Sequence, residues 1–167
     1  MRIRIVNRIK FPSRGGVPEG RGGFVGGIPV ANIPAIRALL RGFAERALDV
    51  AKWREICVLL VDDKESGEIH HATVGDPSPT DVITLRYIRG DAMDAELIVN
   101  VQCAMEEGRR RSRRGAWSPQ HELALYLAHG IDHLSGADDA TPANRARMRR
   151  RELRWMRYLQ PSLHLLV

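Results

Sequence analysis

Residues 2–11 alternate, with Ile3, Ile5, Ile9 and Phe11 on one side and Arg2, Arg4, Arg8 and Lys10 on the other. A period of two predicts a half-buried strand. Over residues 33–50 the period lengthens to that of a helix, and Ile33, Ile36, Leu40, Phe43 and Ala47 share one face. REICVLLV, residues 54–61, is an unbroken apolar run rich in β-formers and predicts a buried strand. Asp62 or Asp63 suits the cap of a short helix reaching about His71, and GDPSP at 75–79 breaks the chain. TDVITLRYI (80–88) and AELIVNV (95–101) read as two more strands. A helix over roughly 102–110 then runs into a basic loop, GRRRSRRG. Ser118-Pro119, with Glu122 in the first turn, opens a helix that runs to about Leu134 and ends at Gly136. Thr141-Pro142 repeats the start signal for a last helix to about Leu159. The order β-α-β-α-β-β-α-α-α predicts a single α+β domain over 1–167, a small mixed sheet packed against helices. Residues 12–29, with seven glycines and three prolines, break this regularity. They predict a flexible surface loop, read as a tolerated insertion rather than a substrate-gripping flap.

Composition narrows the class. With 167 residues, 44% hydrophobic and 28% charged, the chain matches a soluble globular domain. No apolar run approaches the ~20 residues that cross a bilayer, and the charged start lacks the apolar block of a signal peptide. A cytoplasmic protein is expected. Cys57 and Cys103, far apart and in no C-x-x-C pair, are expected to be buried free thiols. Charge adds a partner class. Residues 109–167 hold 12 Arg against 5 acidic residues, whereas residues 1–108 are nearly balanced. Guanidinium forks match phosphate oxygens, so this basic part points to nucleic acid.

The same part carries the candidate chemistry. His129 and His133 are four apart on a predicted helix, one turn apart on one face, and can grip one ion. Gly136 lets the chain turn back, bringing Asp138 or Asp139 toward the helix end as a third ligand. Three protein ligands leave a coordination position open, the arrangement of a catalytic zinc. The zinc peptidase pattern H-E-x-x-H is not met, because Gly130 follows His129 and no carboxylate stands ready as the base. Glycine at 130 instead admits another segment or a substrate beside the helix. His121 lies two turns up the helix, ~12 Å along its axis, and reads as a surface residue. His70 and His71 end the second predicted helix, and His164 lies in the tail.

The run His129-Gly130-Ile131-Asp132-His133-Leu134-Ser135-Gly136-Ala137-Asp138-Asp139 resembles the H-G-x-x-H-L-x-G-x-D-H signature of the YbeY family of bacterial endoribonucleases and ribosomal RNA maturation factors. Pro79-Thr80-Asp81-Val82-Ile83-Thr84 resembles that family's P-T-D-V-L-S strand. Ala95-Glu96-Leu97-Ile98-Val99-Asn100 and the Glu122-Leu123 pair are similar to further family positions, and the likeness covers roughly 30–160. It implies one zinc ion held by His129, His133 and Asp139, with Asp139 where the family usually has His. A carboxylate makes the site harder and lets other divalent ions compete. Ala137, Asp132, His70 and Val74 also depart from the family's usual Tyr, Leu, Asn and Arg.

The resemblance implies a single-strand-specific, metal-dependent endoribonuclease. It would act on ribosomal RNA precursors, at the 3′ end of 16S RNA and in ribosome quality control, with the ribosome or its proteins as partners. The alternative is a catalytically weak RNA- or ribosome-binding assembly factor with a structural metal; Asp139 leaves it open. RNA contacts are expected at Arg109, Arg111 and Arg113, where a basic loop can fold toward the site. Trp155 or Tyr158 on the last helix are candidates for stacking on a base.

Overall fold

The computed structural model describes residues 1–9, 31–113, 115–159 and 165–166. The Gly/Pro-rich segment 12–29 and His164 lie outside these residues. The elements are β1 (Arg2–Asn7), α1 (Ile33–Ala47), a single 3₁₀ turn (Val50–Lys52), β2 (Trp53–Val61), α2 (Asp63–Val74), β3 (Val82–Arg89), β4 (Ala92–Asn100), α3 (Val101–Ser112), α4 (Pro119–Leu134) and α5 (Pro142–Leu159). The strands form one mixed sheet in the order β1-β2-β4-β3. β1, β2 and β4 are parallel, and β3 runs antiparallel at the edge. The architecture is therefore the α+β domain expected.

Local chemistry explains the boundaries. β3 and β4 form a hairpin in which Arg89 pairs with Ala92 across Gly90-Asp91, with Gly90 at φ 62°. The turn is tighter than the strand ends at 88 and 95 predicted from sequence, because glycine enters the left-handed region without strain. Asn100 caps α3 by accepting from Cys103 N–H at 3.0 Å, and its Nδ2 donates to Asp63 Oδ1 at 2.8 Å. Asp62 caps α2 through Glu65 N–H at 2.9 Å. α3 continues to Ser112, so Arg109 and Arg111 stand on its last turn rather than in a loop, and Arg113 is its C-cap. A helix propagates through arginine easily, a residue of high helix propensity. Cys57 is a buried free thiol as expected, while Cys103 is only partly buried.

The core lies between the sheet and a layer of helices. Ile56, Val58 and Leu60 of β2 and Leu97 and Val99 of β4 face α1 and α4. The opposite sheet face is thinner, where Val61, Ile83 and Ile98 gather Ile69 of α2. α4 is the central helix: Leu123, Leu125, Leu127, Ala128, Ile131 and Leu134 are buried over most of its circumference, and Glu122, His129 and His133 share the remaining arc. A helix with so wide an apolar face belongs inside a fold. Gly130 is where α4 meets the sheet. A Cβ there would stand 3.0 Å from Leu97 Cδ2 and 3.2 Å from Val82 Cγ2. The missing side chain admits β3 and β4, not a substrate.

Candidate metal centre

The site forms where α4 ends. Ser118 and Pro119 start the helix as predicted, and Ser118 accepts from His121 N–H. At the other end Gly136 adopts φ 92°, its N–H bonding to His133 O at 3.0 Å, and the chain folds back. Left-handed backbone at this position favours glycine. The reversal brings Asp139 over the last two turns of α4. His129, His133 and Asp139 each present one ligand atom within 4.8 Å of the others. Asp138 does something different: its Oδ1 accepts from Ala140 N–H at 2.9 Å and its Oδ2 from Asn144 Nδ2 at 3.3 Å. It fastens the turn to the start of α5.

Second partners set which nitrogens face the centre. His133 Nδ1 donates to Ala137 O at 3.1 Å, and His129 Nδ1 donates to Glu152 Oε1 at 2.7 Å. Both rings therefore carry their proton on Nδ1 and turn Nε2 inward. The two Nε2 atoms lie 3.1 Å apart, and Asp139 Oδ2 lies 3.9 Å from His129 Nε2. Two lone pairs and a carboxylate at such separations repel unless a proton or cation lies among them. Tetrahedral zinc at ~2.0–2.1 Å from each nitrogen would separate them by about 3.3 Å, so the donor set fits a divalent ion. Burial opposes charging of His129, but the carboxylates of Glu152, Asp81 and Asp139 outweigh it and shift its pKa upward.

A cavity of about 150 Å³ opens beside these groups, lined by Asp81, Tyr126, His129, Asp139, Arg145 and Arg149 among others. Asp81 Oδ1 is held by Val82 N–H at 2.8 Å and by the Thr80 hydroxyl at 3.1 Å. Burial raises the Tyr126 phenol far above its ordinary range. Arg145 donates to Asp139 O at 3.3 Å. On the His133 side a shallower groove of about 390 Å³ is lined by His70, Thr84 and Arg86.

The α4–α5 seam is polar and buried. Asp132, 0% exposed, accepts from Arg151 Nε at 3.0 Å, and a second Arg151 nitrogen completes the pair. Burial raises the Asp132 pKa against the lowering effect of Arg151. Glu152 is 2% exposed and Glu122 1% exposed. Glu122 Oε2 forms an ion pair with Arg111 Nη1 at 3.1 Å and accepts from Trp117 Nε1 at 2.5 Å.

Among the residues singled out from sequence, His129, His133 and Asp139 come together. His121 is apart from them, stacked on Trp117 at 5.1 Å. Arg109 and Arg113 are exposed on the end of α3, whereas Arg111 is half-buried against Glu122. Trp155 packs on Phe43 at 6.3 Å in the core and is 8% exposed, so it is closed to a base; Tyr158 is 73% exposed. Sequence reasoning missed Glu152 and the cavity position of Asp81; it counted Arg145 and Arg149 among the arginines of the last helix that could meet RNA, but favoured Arg109, Arg111 and Arg113 over them. Glu152 sits 23 residues from His129, a separation with no local signal.

The sequence profile of the family described as Endoribonuclease YbeY matches residues 31–160. A protein named Endoribonuclease YbeY from Rhodopirellula baltica is 34% identical over 109 residues, 65% of this chain and 55% of that protein. One of the same name from Thermobifida fusca is 32% identical over 127 residues, covering 69% of this chain and 82% of the relative. The alignments span only 55% to 64% of the Rhodopirellula baltica and Frankia relatives. The fold resembles the solution structure of a Thermotoga maritima protein, with TM-score 0.51 and 22% identity over 92% of this chain and 85% of that one. Family profile, relatives and the histidine run on α4 agree: this chain belongs to the YbeY family.

Proposed function

We propose that this protein is a metal-dependent endoribonuclease that cleaves single-stranded RNA in the maturation of ribosomal RNA. The observation that carries this reading is the meeting of two inward Nε2 atoms and the Asp139 carboxylate beside a cavity holding two arginines. The names of its relatives point the same way.

His129, His133 and Asp139 would hold one zinc ion. A bound zinc ion acidifies water and neutralises charge on a phosphodiester. The chain's own groups do the rest. Glu152 keeps the proton on Nδ1 of His129, and Ala137 O does so for His133. Arg145 and Arg149 are placed to hold the non-bridging oxygens of a phosphate in the cavity. Asp81 lines that cavity outside the ligand cluster and suits the role of proton acceptor from the attacking hydroxyl or water. No carboxylate follows His129, so peptidase chemistry of the H-E-x-x-H type lacks its base. Because Asp139 is an oxygen ligand, manganese or magnesium would compete with zinc more strongly than at an all-histidine site.

The substrate would be a ribosomal RNA precursor near the 3′ end of 16S RNA, with the ribosome or its proteins as partners in the cytoplasm. Among the described residues no helix is long and apolar enough to cross a membrane. Arg109, Arg111 and Arg113 would add backbone contacts from the end of α3. A second reading, a weakly catalytic assembly factor that keeps the metal for structure, draws on Asp139 in the place of the family's usual histidine. Cleavage of single-stranded RNA by metal-loaded protein, against chelated protein and His129→Ala, separates the two. Cleavage in the loaded wild type alone supports the nuclease. RNA binding without metal-dependent cleavage supports the assembly factor.

A further inference from the structure

Arg149 differs from the paired arginines of α5 and, by its burial, from the exposed Arg150 and Arg154. Arg151 is bonded to Asp132, Arg147 to Asn144 Oδ1 at 3.0 Å, and Arg145 to Asp139 O. Arg149 is half-buried, and among the described residues it has neither a hydrogen bond nor an ion pair. A partly desolvated guanidinium without an anion is unfavourable, and it leaves five donors available. Arg149 also stands on two cavities at once. One is the cavity of His129 and Asp139; the other is an open groove of about 590 Å³ lined by Arg111, Gly115, Ala116, Trp117, Arg149 and Leu153.

The second groove is built from held parts. Trp117 donates its Nε1–H to Glu122 Oε2, and its ring stacks on His121 at 5.1 Å with 30° between the planes. The same Glu122 oxygen holds the Arg111 guanidinium at 3.1 Å. One buried carboxylate therefore fixes an indole and a planar cation on the wall of one groove, with Leu153 completing it. The loss of side-chain freedom that a ligand would impose has already been met by folding. An aromatic ring, a guanidinium plane and an aliphatic side chain together suit the π-face of a nucleobase, of any sequence.

We propose that this groove is a nucleobase subsite for single-stranded RNA. Arg149 holds a backbone phosphate between the groove and the metal centre, and Trp117 and Arg111 pack against a base next to the scissile position. The proposal rests on the reading of RNA as substrate. It commits to RNA because the groove is cationic at Arg111 and Arg149 and shares Arg149 on its wall with the metal-centre cavity.

The test uses the full chain in chelator, so that no RNA is cleaved. Octauridylate and octaadenylate carrying a fluorescent end label are titrated by anisotropy, and tryptophan emission is followed on unlabelled RNA. Trp53 and Trp155 are 3% and 8% exposed, so a change in emission reports Trp117. Quenching that saturates with the anisotropy curve is expected. Trp117→Phe should keep binding and lose the quench. Trp117→Leu, which loses the same hydrogen bond to Glu122 but cannot stack, should bind about fivefold or more weakly than Trp117→Phe. Arg149→Gln should weaken binding and reduce the log–log salt slope by about 0.7. Binding without quenching, at equal strength in Trp117→Phe and Trp117→Leu, overturns the subsite and leaves RNA on another face. No RNA binding by either probe overturns the subsite and the RNA reading together.

Discussion

Glu152 is the residue whose replacement tests the centre most cleanly. It lies outside the proposed ligand set, is 2% exposed, and bonds His129 Nδ1 at 2.7 Å. Glu152→Gln keeps the shape and an acceptor oxygen but removes the charge. A hydrogen bond to a charged group contributes roughly 1.5–3 kcal/mol and a neutral one roughly 0.5–1.5 kcal/mol. The exchange therefore removes about 1–1.5 kcal/mol of support for the imidazole as a ligand, near tenfold in metal affinity. Glu152→Ala also frees the ring to rotate and to place its proton on Nε2, so about 10- to 100-fold is expected. Stability of the metal-free protein should not follow the same order. Burying a carboxylate carries a desolvation cost, and glutamine avoids it, so at a pH where His129 is neutral the melting temperature of metal-free Glu152→Gln should equal or exceed that of wild type, whereas below the raised His129 pKa the lost pairing should lower it. The assay is zinc affinity by competition with a chromophoric chelator, beside thermal melts of the metal-free proteins. Zinc affinity in Glu152→Gln within twofold of wild type would falsify the role given to Glu152. A parallel loss of affinity and metal-free stability at the higher pH would make Glu152 a packing residue instead.

Asp139→Asn should lower zinc affinity at least about tenfold while Asp138→Asn leaves it near wild type, since among the described residues the Asp138 side chain bonds only Ala140 and Asn144; a larger loss in Asp138→Asn reverses the assignment. Asp139→His should retain metal and shift preference from manganese toward zinc, read by competition between the two ions. Gly130→Glu, which writes the peptidase pattern, should destabilise by about 3 kcal/mol or more, because even a Cβ meets Leu97 at 3.0 Å and the added charge is buried; a soluble variant melting within a few degrees of wild type refutes the packing account. Asp132 has a raised pKa, so its contribution to folding is greatest below the unfolded value of ~3.9 and is lost as pH rises through the folded one. The melting temperature of Asp132→Leu relative to wild type should therefore improve from pH 4 to pH 7, and a relative fall over that interval contradicts the shift. Replacing Arg109, Arg111 and Arg113 together by Ser should weaken RNA binding and flatten its salt dependence with metal content intact; an unchanged slope makes the end of α3 a solvated surface.

The parts of this molecule legible in sequence were those written in local chemistry. Ser118-Pro119 and Gly136 announced both ends of α4, and the i, i+4 spacing put two imidazoles on one face. The glycine turn, also local, brought Asp138 and Asp139 toward the helix end, and the family resemblance chose Asp139 between them. Boundaries failed where two local rules competed. Gly90-Asp91 makes a two-residue turn, yet Met93 and Asp94 do not look like strand residues until Arg54 and Arg89 are seen around Asp94. The basic run read as a loop because charge obscured helix propensity, although Asn100 supplied a cap for the helix that carries it. What stayed hidden was pairwise and distant. Nothing near Glu152 says that it bonds His129, and nothing near Arg111 says that Glu122 holds it. Such partners have no periodicity, and only packing of α3, α4 and α5 selects them.

That packing also accounts for the departure at position 132. Arg145, Arg149 and Glu152 fall on one face of α5 by their spacing of four and three. The face meets α4 so that Glu152 bonds His129 while Arg145 and Arg149 line the cavity. Sliding or rotating α5 by a fraction of a turn would misplace the imidazole and both guanidiniums together. Apolar contacts between helices resist such a shift only weakly, because one aliphatic side chain replaces another at small cost. An ion pair is less tolerant. Arg151, next to Glu152, reaches Asp132, next to His133, and moving either helix would leave a buried carboxylate unpaired. A leucine at 132 would add apolar area but no such register. The charge at 132 thus gives little to stability and much to the alignment of α5 with the metal centre. It belongs with the arginines of this chain's last helix: a basic α5 that lines the cavity with guanidiniums also needs a fixed position from which to present them.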